Sequence, residues 1–280
     1  MRTTFLRSLV ACASATARPP ALITFDCTGT LFETCRPVGV TYMSALKEVA
    51  TPLDAAVLSS IDESALDAAF MRAYTSACER QPCFGHGTQG GAREWWRGVV
   101  ADTFVTAGMP RSSLEQLLPD TFDLLWHRFC TRDGFRLLPH AAECLERLAR
   151  WRASQPADSR TRVAVISNWD ERLPLLLEDL GVAQYLDAVV VSGEVGHEKP
   201  DTQIFDLARQ QLGVPADGAR RCVHVGDSWS RDVRGATASG FEAVFVSPPG
   251  ERAVPEAERA ATPHLHLPHL QHLEELLGLQ

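Results

Sequence analysis

Four polar stations in this 280-residue chain carry residues able to do chemistry together. The first is Asp26, delivered by the apolar run Ala21-Leu22-Ile23-Thr24-Phe25 and followed at once by the small-residue turn Cys27-Thr28-Gly29-Thr30. A carboxylate in that position can attack an electrophile and form an acyl-phosphate, while Gly29 lets the backbone turn sharply beside a bulky anion. Ser167-Asn168 ends a second apolar run, Lys199-Pro200 follows a third, and Asp227 ends a fourth, with Asp232 five residues on. Nucleophile, hydroxyl donor, cation and second carboxylate form a complementary set for attack on a phosphoryl group, whose charge must be neutralised as it transfers. Asp26 and Asp227, with the Thr28 carbonyl, supply the hard oxygen donors that Mg2+ prefers, and Asp232 is close enough in sequence to ligate or to orient a metal-bound water. The expected catalytic set is Asp26, Thr28, Ser167 and Lys199. Thr30, Ser167, Asn168 and Lys199 are the candidate phosphate contacts, and Asp26, Thr28, Asp227 and Asp232 the candidate metal ligands.

Lysine usage singles out one of these residues. Of 27 basic residues only Lys47 and Lys199 are lysines; all the others are arginine. Lys47 falls on a predicted helix face and is expected to be solvated. Lys199 marks a place where a compact ammonium is needed instead of a planar fork.

These stations need strands to carry them to one edge. The runs Val163 to Ser167, Ala188 to Ser192, Cys222 to Gly226 and Glu242 to Ser247 read as strands. Between them come helices over Leu137 to Trp151, Arg172 to Leu180 and Thr202 to Leu212. Alternation at this spacing predicts a parallel, doubly wound α/β sheet, whose ligands bind beyond the carboxyl ends of the strands. From Leu31 to about residue 132 the pattern is helical instead, with helices expected over Val38 to Ala50, Asp62 to Cys78, Gly91 to Gly108 and Ser112 to Arg132. Trp95-Trp96 is expected to serve core and interface more than substrate. Near the end, the alternating His264 to Leu267 suits an edge strand rather than a metal site, with a helix over Leu270 to Leu279, and Pro248 to Pro263 is the one loose segment.

Composition sets limits. With 45% hydrophobic and 22% charged residues the chain can bury one sizeable core and a smaller second unit. A formal charge of -8 argues against broad binding to nucleic acid or anionic membranes. No apolar stretch approaches the roughly 20 residues of a membrane span. Eight cysteines without a C-x-x-C pair are read as reduced thiols, with Cys27 turned away from the reactive face. Residues 1 to 20 carry Arg2, Arg7 and Arg18 and no acid, as a mitochondrial presequence or a plain disordered tail would, so the expected location is mitochondrial or cytoplasmic.

In order and spacing, Asp26-Cys27-Thr28-Gly29-Thr30-Leu31, Ser167-Asn168, Lys199-Pro200-Asp201 and Gly226-Asp227-Ser228-Trp229-Ser230-Arg231-Asp232 resemble the motifs of the haloacid dehalogenase-like (HAD) hydrolase superfamily over residues 21 to about 247. The resemblance implies a Rossmann-like core over residues 21–33 and 136–280 and an inserted, mobile helical cap over 34–135. It also implies Mg2+-dependent hydrolysis of a small phosphorylated metabolite through an aspartyl-phosphate at Asp26, with Mg2+ held by Asp26, Asp227 and the Thr28 backbone. The sequence departs from the family's phosphatases at Thr28, where they usually carry an Asp that protonates the leaving group. Three readings stay open: a slow or specialised phosphatase, a non-catalytic ligand-binding protein, and a metal-independent 2-haloacid dehalogenase. The sequence gives no oligomeric state.

Overall fold

The computed structural model describes residues 19–216, 220–247, 254 and 256–279. The presequence-like segment lies outside them, apart from its last two residues. Five apolar runs form parallel strands because side chains buried on both faces suit a sheet covered twice. These are β1 (Leu22–Phe25), β4 (Arg162–Ser167), β5 (Ala188–Val191), β6 (Cys222–Gly226) and β7 (Glu242–Val246), and β8 (Leu265–Leu267) closes one edge. The order is β5-β4-β1-β6-β7-β8, all parallel. From β1 the chain builds outward through β4 and β5, then returns to place β6 on the other side of β1. That reversal creates a switch point beside β1, and the crevice there is where such sheets bind ligands. The remaining strands, β2 (Phe32–Thr34) and β3 (Phe135–Leu137), form a separate antiparallel pair.

Alternation along β1 sends its side chains to two cores. Ile23 and Phe25 pack with Leu145 and Leu148 of the helix Ala141–Ala153 and with Leu173, Leu176 and Leu177 of the helix Leu173–Asp179. Leu22 packs on the opposite face with Ile204, Phe205 and Ala208 of the helix Thr202–Gln211. The doubly wound sheet is therefore as the strand-helix rhythm predicts.

Between β2 and β3 the chain is helical: α1 (Val38–Val49), α2 (Leu66–Arg80), α3 (Gly91–Thr106) and α4 (Arg111–Arg128), with a short helix Ala55–Ser60. Their apolar faces make their own cores, one around Tyr42, Leu46, Phe104 and Leu125 and another around Ala73, Phe84 and Trp95. Where this insertion leaves and rejoins the sheet, β2 and β3 pair Phe32 with Leu137 and Glu33 with Arg136.

Several boundaries differ from expectation for local reasons. Leu137 ends β3 instead of starting a helix, which begins at Ala141 after the left-handed His140 (φ 69°). Asp62 caps a short 3-10 turn by accepting from Ser64 N at 3.0 Å, so α2 starts at Leu66. Ser192 opens a helical turn, Ser192–Val195, and does not extend β5. Arg128 ends α4, four residues before the expected stop. Within Pro248 to Pro263, much of which lies outside the described residues, Glu256–Ala261 is a helix. The edge strand predicted from the His-Leu alternation is β8.

Candidate active site

Register alone gathers the predicted stations. Phe25 pairs with Val165 on one side and Val225 on the other, so Asp26, Ser167 and Asp227 emerge side by side at the carboxyl edge. Lys199 reaches the same point from the loop after β5. Its Nζ donates to Asp26 Oδ1 at 2.7 Å, to Asp232 Oδ1 at 2.7 Å and to the Ile166 carbonyl at 2.8 Å. All three ammonium protons are thus engaged. Burial by itself would lower the Lys199 pKa, but Asp232 and then Asp26 more than offset it and hold it above the ordinary lysine range. Ser167 Oγ donates to Asp26 Oδ1 at 2.8 Å.

Asp232 is fully buried and accepts three bonds. Besides Lys199, His224 Nε2 lies 3.1 Å from its Oδ1, and Ser228 N donates to Oδ2 at 2.8 Å. Burial opposes its ionisation, yet Lys199 and His224 hold its carboxyl well below the usual carboxylate range. Burial also lowers the His224 pKa, so a neutral imidazole donating from Nε2 accounts for the contact with Asp232. Its Nδ1 lies 2.8 Å from Thr24 Oγ1, whose hydroxyl is also within 3.1 Å of the Val223 carbonyl.

Two glycines are dictated by close approach. Gly29 has φ 85°, and a Cβ there would collide with the Asp227 carboxylate; a Cβ at Gly226 would collide with that of Asp232. Asp26, Asp227 and Asp232 each place an oxygen within 4.8 Å of the others. Three carboxylates this close fit a hard, oxygen-seeking divalent cation such as Mg2+. Because both Asp232 oxygens are committed to protein donors, Asp26 and Asp227 are the better suited to direct ligation.

The other expected residues are placed as follows. Thr28 is exposed, and its Oγ1 accepts from Trp169 Nε1 at 3.0 Å. Thr30, expected as a phosphate contact, is buried and donates to Asp227 Oδ1 at 3.3 Å. Asn168, expected likewise, is occupied with backbone: Nδ2 donates to the Lys199 carbonyl at 3.0 Å, and Oδ1 accepts from Lys199 N at 2.7 Å. That double bond fixes the loop from which the lysine reaches Asp26. Cys27 is buried, as its alternation predicts, and burial pushes its thiol well up. Lys47 sits at the surface, paired with Glu63 at 2.7 Å.

Above this edge lies a cavity of about 420 Å³, bounded below by Asp26, Ser167, Lys199 and Asp227 and above by the inserted helices. Its upper wall is largely aromatic and includes Tyr42, Tyr74, Trp96 and Trp126. Trp96 therefore faces the cavity, whereas its neighbour Trp95 is buried in the helical core and donates to the Gln81 carbonyl at 2.9 Å. Trp96 Nε1 also donates to Asp170 Oδ2 at 2.6 Å. Asp170 is fully buried and bidentate with Arg172 at 2.8 and 2.7 Å, whose guanidinium lies 3.9 Å over Trp126. Sequence reasoning noticed Asp170 only as a helix-terminal acid, and it gave no role to Arg172 and Arg231, which line the cavity, or to His224. A lone polar residue inside the apolar run Cys222 to Gly226 was the available signal for His224; nothing local distinguishes Arg172 among so many arginines.

With this geometry in hand, likeness to known proteins is informative. Residues 20–240 match the sequence profile of haloacid dehalogenase-like hydrolases. The chain is 32% identical over 260 residues to haloacid dehalogenase-like hydrolase domain-containing protein 3 of Mus musculus, covering 92% of this chain and 94% of that one. Over 157 residues it is 35% identical to ribulose-1,5-bisphosphate 5-phosphatase of Halopiger xanaduensis, covering 55% and 59%. In three dimensions it is similar to the 2-haloacid dehalogenase of Pseudomonas syringae pv. Tomato DC3000, with a TM-score of 0.62, 25% identity, and 92% and 98% of the two chains covered.

Proposed function

This chain belongs to the haloacid dehalogenase-like hydrolase family, and from that membership we propose that it is a Mg2+-dependent phosphomonoesterase acting through an aspartyl-phosphate at Asp26. Its substrate is a small phosphorylated metabolite, and residues 34–135 act as its cap. The observation that carries this reading is the placement of Asp26. It lies at the mouth of the cavity, bonded to Ser167 and Lys199 through one oxygen and clustered with Asp227.

Ser167 and Lys199 both bond Asp26 through Oδ1, which orients the carboxylate and leaves Oδ2 for the attack. Oδ2 attacks phosphorus, the bond from phosphorus to the leaving oxygen breaks, and the electron pair leaves with that oxygen. Ser167 and Lys199 offset the charge of the phosphoryl oxygens, and the overlying helices exclude water. Asp26, Asp227 and the Thr28 carbonyl would hold Mg2+, which supplies further neutralisation of that charge. Water then attacks phosphorus, the acyl-phosphate bond breaks, and the Asp26 carboxylate is restored with release of orthophosphate. Thr28 neither protonates the leaving group nor deprotonates the water, so turnover is slow for poor leaving groups, for which general acid-base catalysis contributes about 10²- to 10⁴-fold.

Hydrolysis of 4-nitrophenyl phosphate with Mg2+ tests the reading. Wild type should release nitrophenol and Asp26→Asn should not; activity that survives Asp26→Asn would overturn the nucleophile. The likeness to a 2-haloacid dehalogenase, together with a non-acidic Thr28, favours a second reading as a dehalogenase. Asp227 and Asp232 weigh against it, because displacing halide needs no metal-binding acids. Metal-independent halide release from 2-haloacids would establish it.

A further inference from the structure

The cavity wall and the residue at position 28 constrain the leaving group independently, and they agree. The wall is a belt of rings: Phe84 stacks on Trp96 at 5.9 Å and 24°, Trp96 lies 5.8 Å and 33° from Tyr74, and Tyr74 lies 5.8 Å and 31° from Phe70. Trp126 also lines the cavity. Such surfaces gain free energy from flat apolar groups and provide few partners for a polyol. A hydroxyl buried there without a partner carries an uncompensated desolvation penalty. Arg172 adds no free charge to the wall, because buried Asp170 neutralises it; Arg231, four residues beyond Asp227, lines the cavity from the helical turn Trp229–Val233.

Position 28 adds the second constraint, since the Thr28 hydroxyl is too weak an acid to protonate a departing alkoxide as a carboxylic acid would. The other groups near the reacting edge do not replace it. Lys199 has all three ammonium protons engaged, and burial pushes the phenols of Tyr42 and Tyr74 above their ordinary range. An unprotonated leaving group must be acidic enough to depart as its anion.

We propose that the substrate is the phosphomonoester of a flat aromatic alcohol with its phosphoryl oxygen on the ring, so that a phenolate leaves into the ring-lined chamber. A phenol ionises near about pH 10, far more readily than an aliphatic alcohol. The phosphorus-oxygen bond breaks with its electron pair on the phenolate. That anion takes its proton from solvent, matched by the proton released when water hydrolyses the aspartyl-phosphate. This substrate class rests on the phosphatase reading above.

Three simple esters separate the two constraints. Phenyl phosphate and benzyl phosphate share a ring but differ in leaving-group acidity; benzyl phosphate and glycerol 3-phosphate share an alcohol leaving group but differ in polarity. With Mg2+, wild-type kcat for phenyl phosphate should exceed that for benzyl phosphate by about 10²-fold or more. The kcat/KM for benzyl phosphate should exceed that for glycerol 3-phosphate by about tenfold or more. Thr28→Asp should raise the benzyl rate by a larger factor than the phenyl rate, narrowing the gap between the two esters. Equal phenyl and benzyl rates in wild type, or a preference for glycerol 3-phosphate, would overturn this inference while the turnover itself upholds the phosphatase. No turnover of any ester by wild type or Thr28→Asp would overturn the phosphatase reading and the inference with it.

Discussion

Lys199 is enclosed by two carboxylates and a carbonyl, and the arrangement explains why an arginine-rich chain keeps an ammonium there. A tetrahedral ammonium can donate to three acceptors around one point, which a planar guanidinium cannot do. Lys199→Met should therefore destabilise the protein by about 3–5 kcal/mol, because it strands buried carboxylates, and should abolish turnover. Lys199→Arg should restore neither, as thermal unfolding and phosphate release would show. His224 gives a pH prediction. Burial holds its folded pKa below the ordinary value of about 6.5, so below that pH the unfolded chain takes up a proton that the folded one does not. Stability is then complete above about pH 6.5 and falls as the pH drops below it. His224→Gln should show a shallower decline of melting temperature between about pH 6.5 and pH 5, whereas parallel slopes would contradict the assignment. Asp26, Ser167 and Asp227 were legible as a set because a strand end is a position that sequence alone can mark, and Lys199 because lysine is so scarce in this chain. His224 and Arg172 were not, since their importance comes from partners at Asp232 and Asp170, eight and two residues away, whose side-chain directions only the fold determines.

At the scale of elements, the inserted helices meet the sheet domain through specific contacts beside the cavity. Trp96 of α3 donates to Asp170, Arg172 packs over Trp126 of α4, and the His86 ring, between α2 and α3, donates from Nδ1 to the Gly193 carbonyl at 2.9 Å. Asp170→Ala should cost about 3–5 kcal/mol, because it leaves the Arg172 guanidinium buried without its anion. The double variant Asp170→Ala, Arg172→Met should recover much of the melting temperature; an additive loss would mean that the pair is not the unit. The major helices and strands were legible from periodicity. The pair β2 and β3 was not, since three residues are too few to establish a period, and Leu137 fitted the helical pattern that follows it. Which face of each inserted helix borders the cavity was equally hidden. Trp95 and Trp96 are adjacent in sequence, yet one is core and the other wall.

At the scale of the whole molecule, the acidic edge and the net charge of -8 make the site an attractor for cations before it can accept an anion. Mg2+ binding to the folded state alone should stabilise it, by about 2.7 kcal/mol at one hundred times the dissociation constant, and a chelator should reverse the gain. No shift in melting temperature with Mg2+ would contradict the assigned ligands. Among the described residues no helix is long and apolar enough to cross a membrane. The expected mitochondrial or cytoplasmic location depends on residues 1–18, which lie outside them. The central claim is that Asp26 becomes phosphorylated. Rapid quenching in acid of wild-type protein turning over 4-nitrophenyl phosphate with Mg2+, followed by peptide mass spectrometry, tests it most directly. One phosphoryl group should appear on the peptide containing Asp26 and be absent from Asp26→Asn. Phosphate release at full rate with that peptide unmodified throughout would contradict the account.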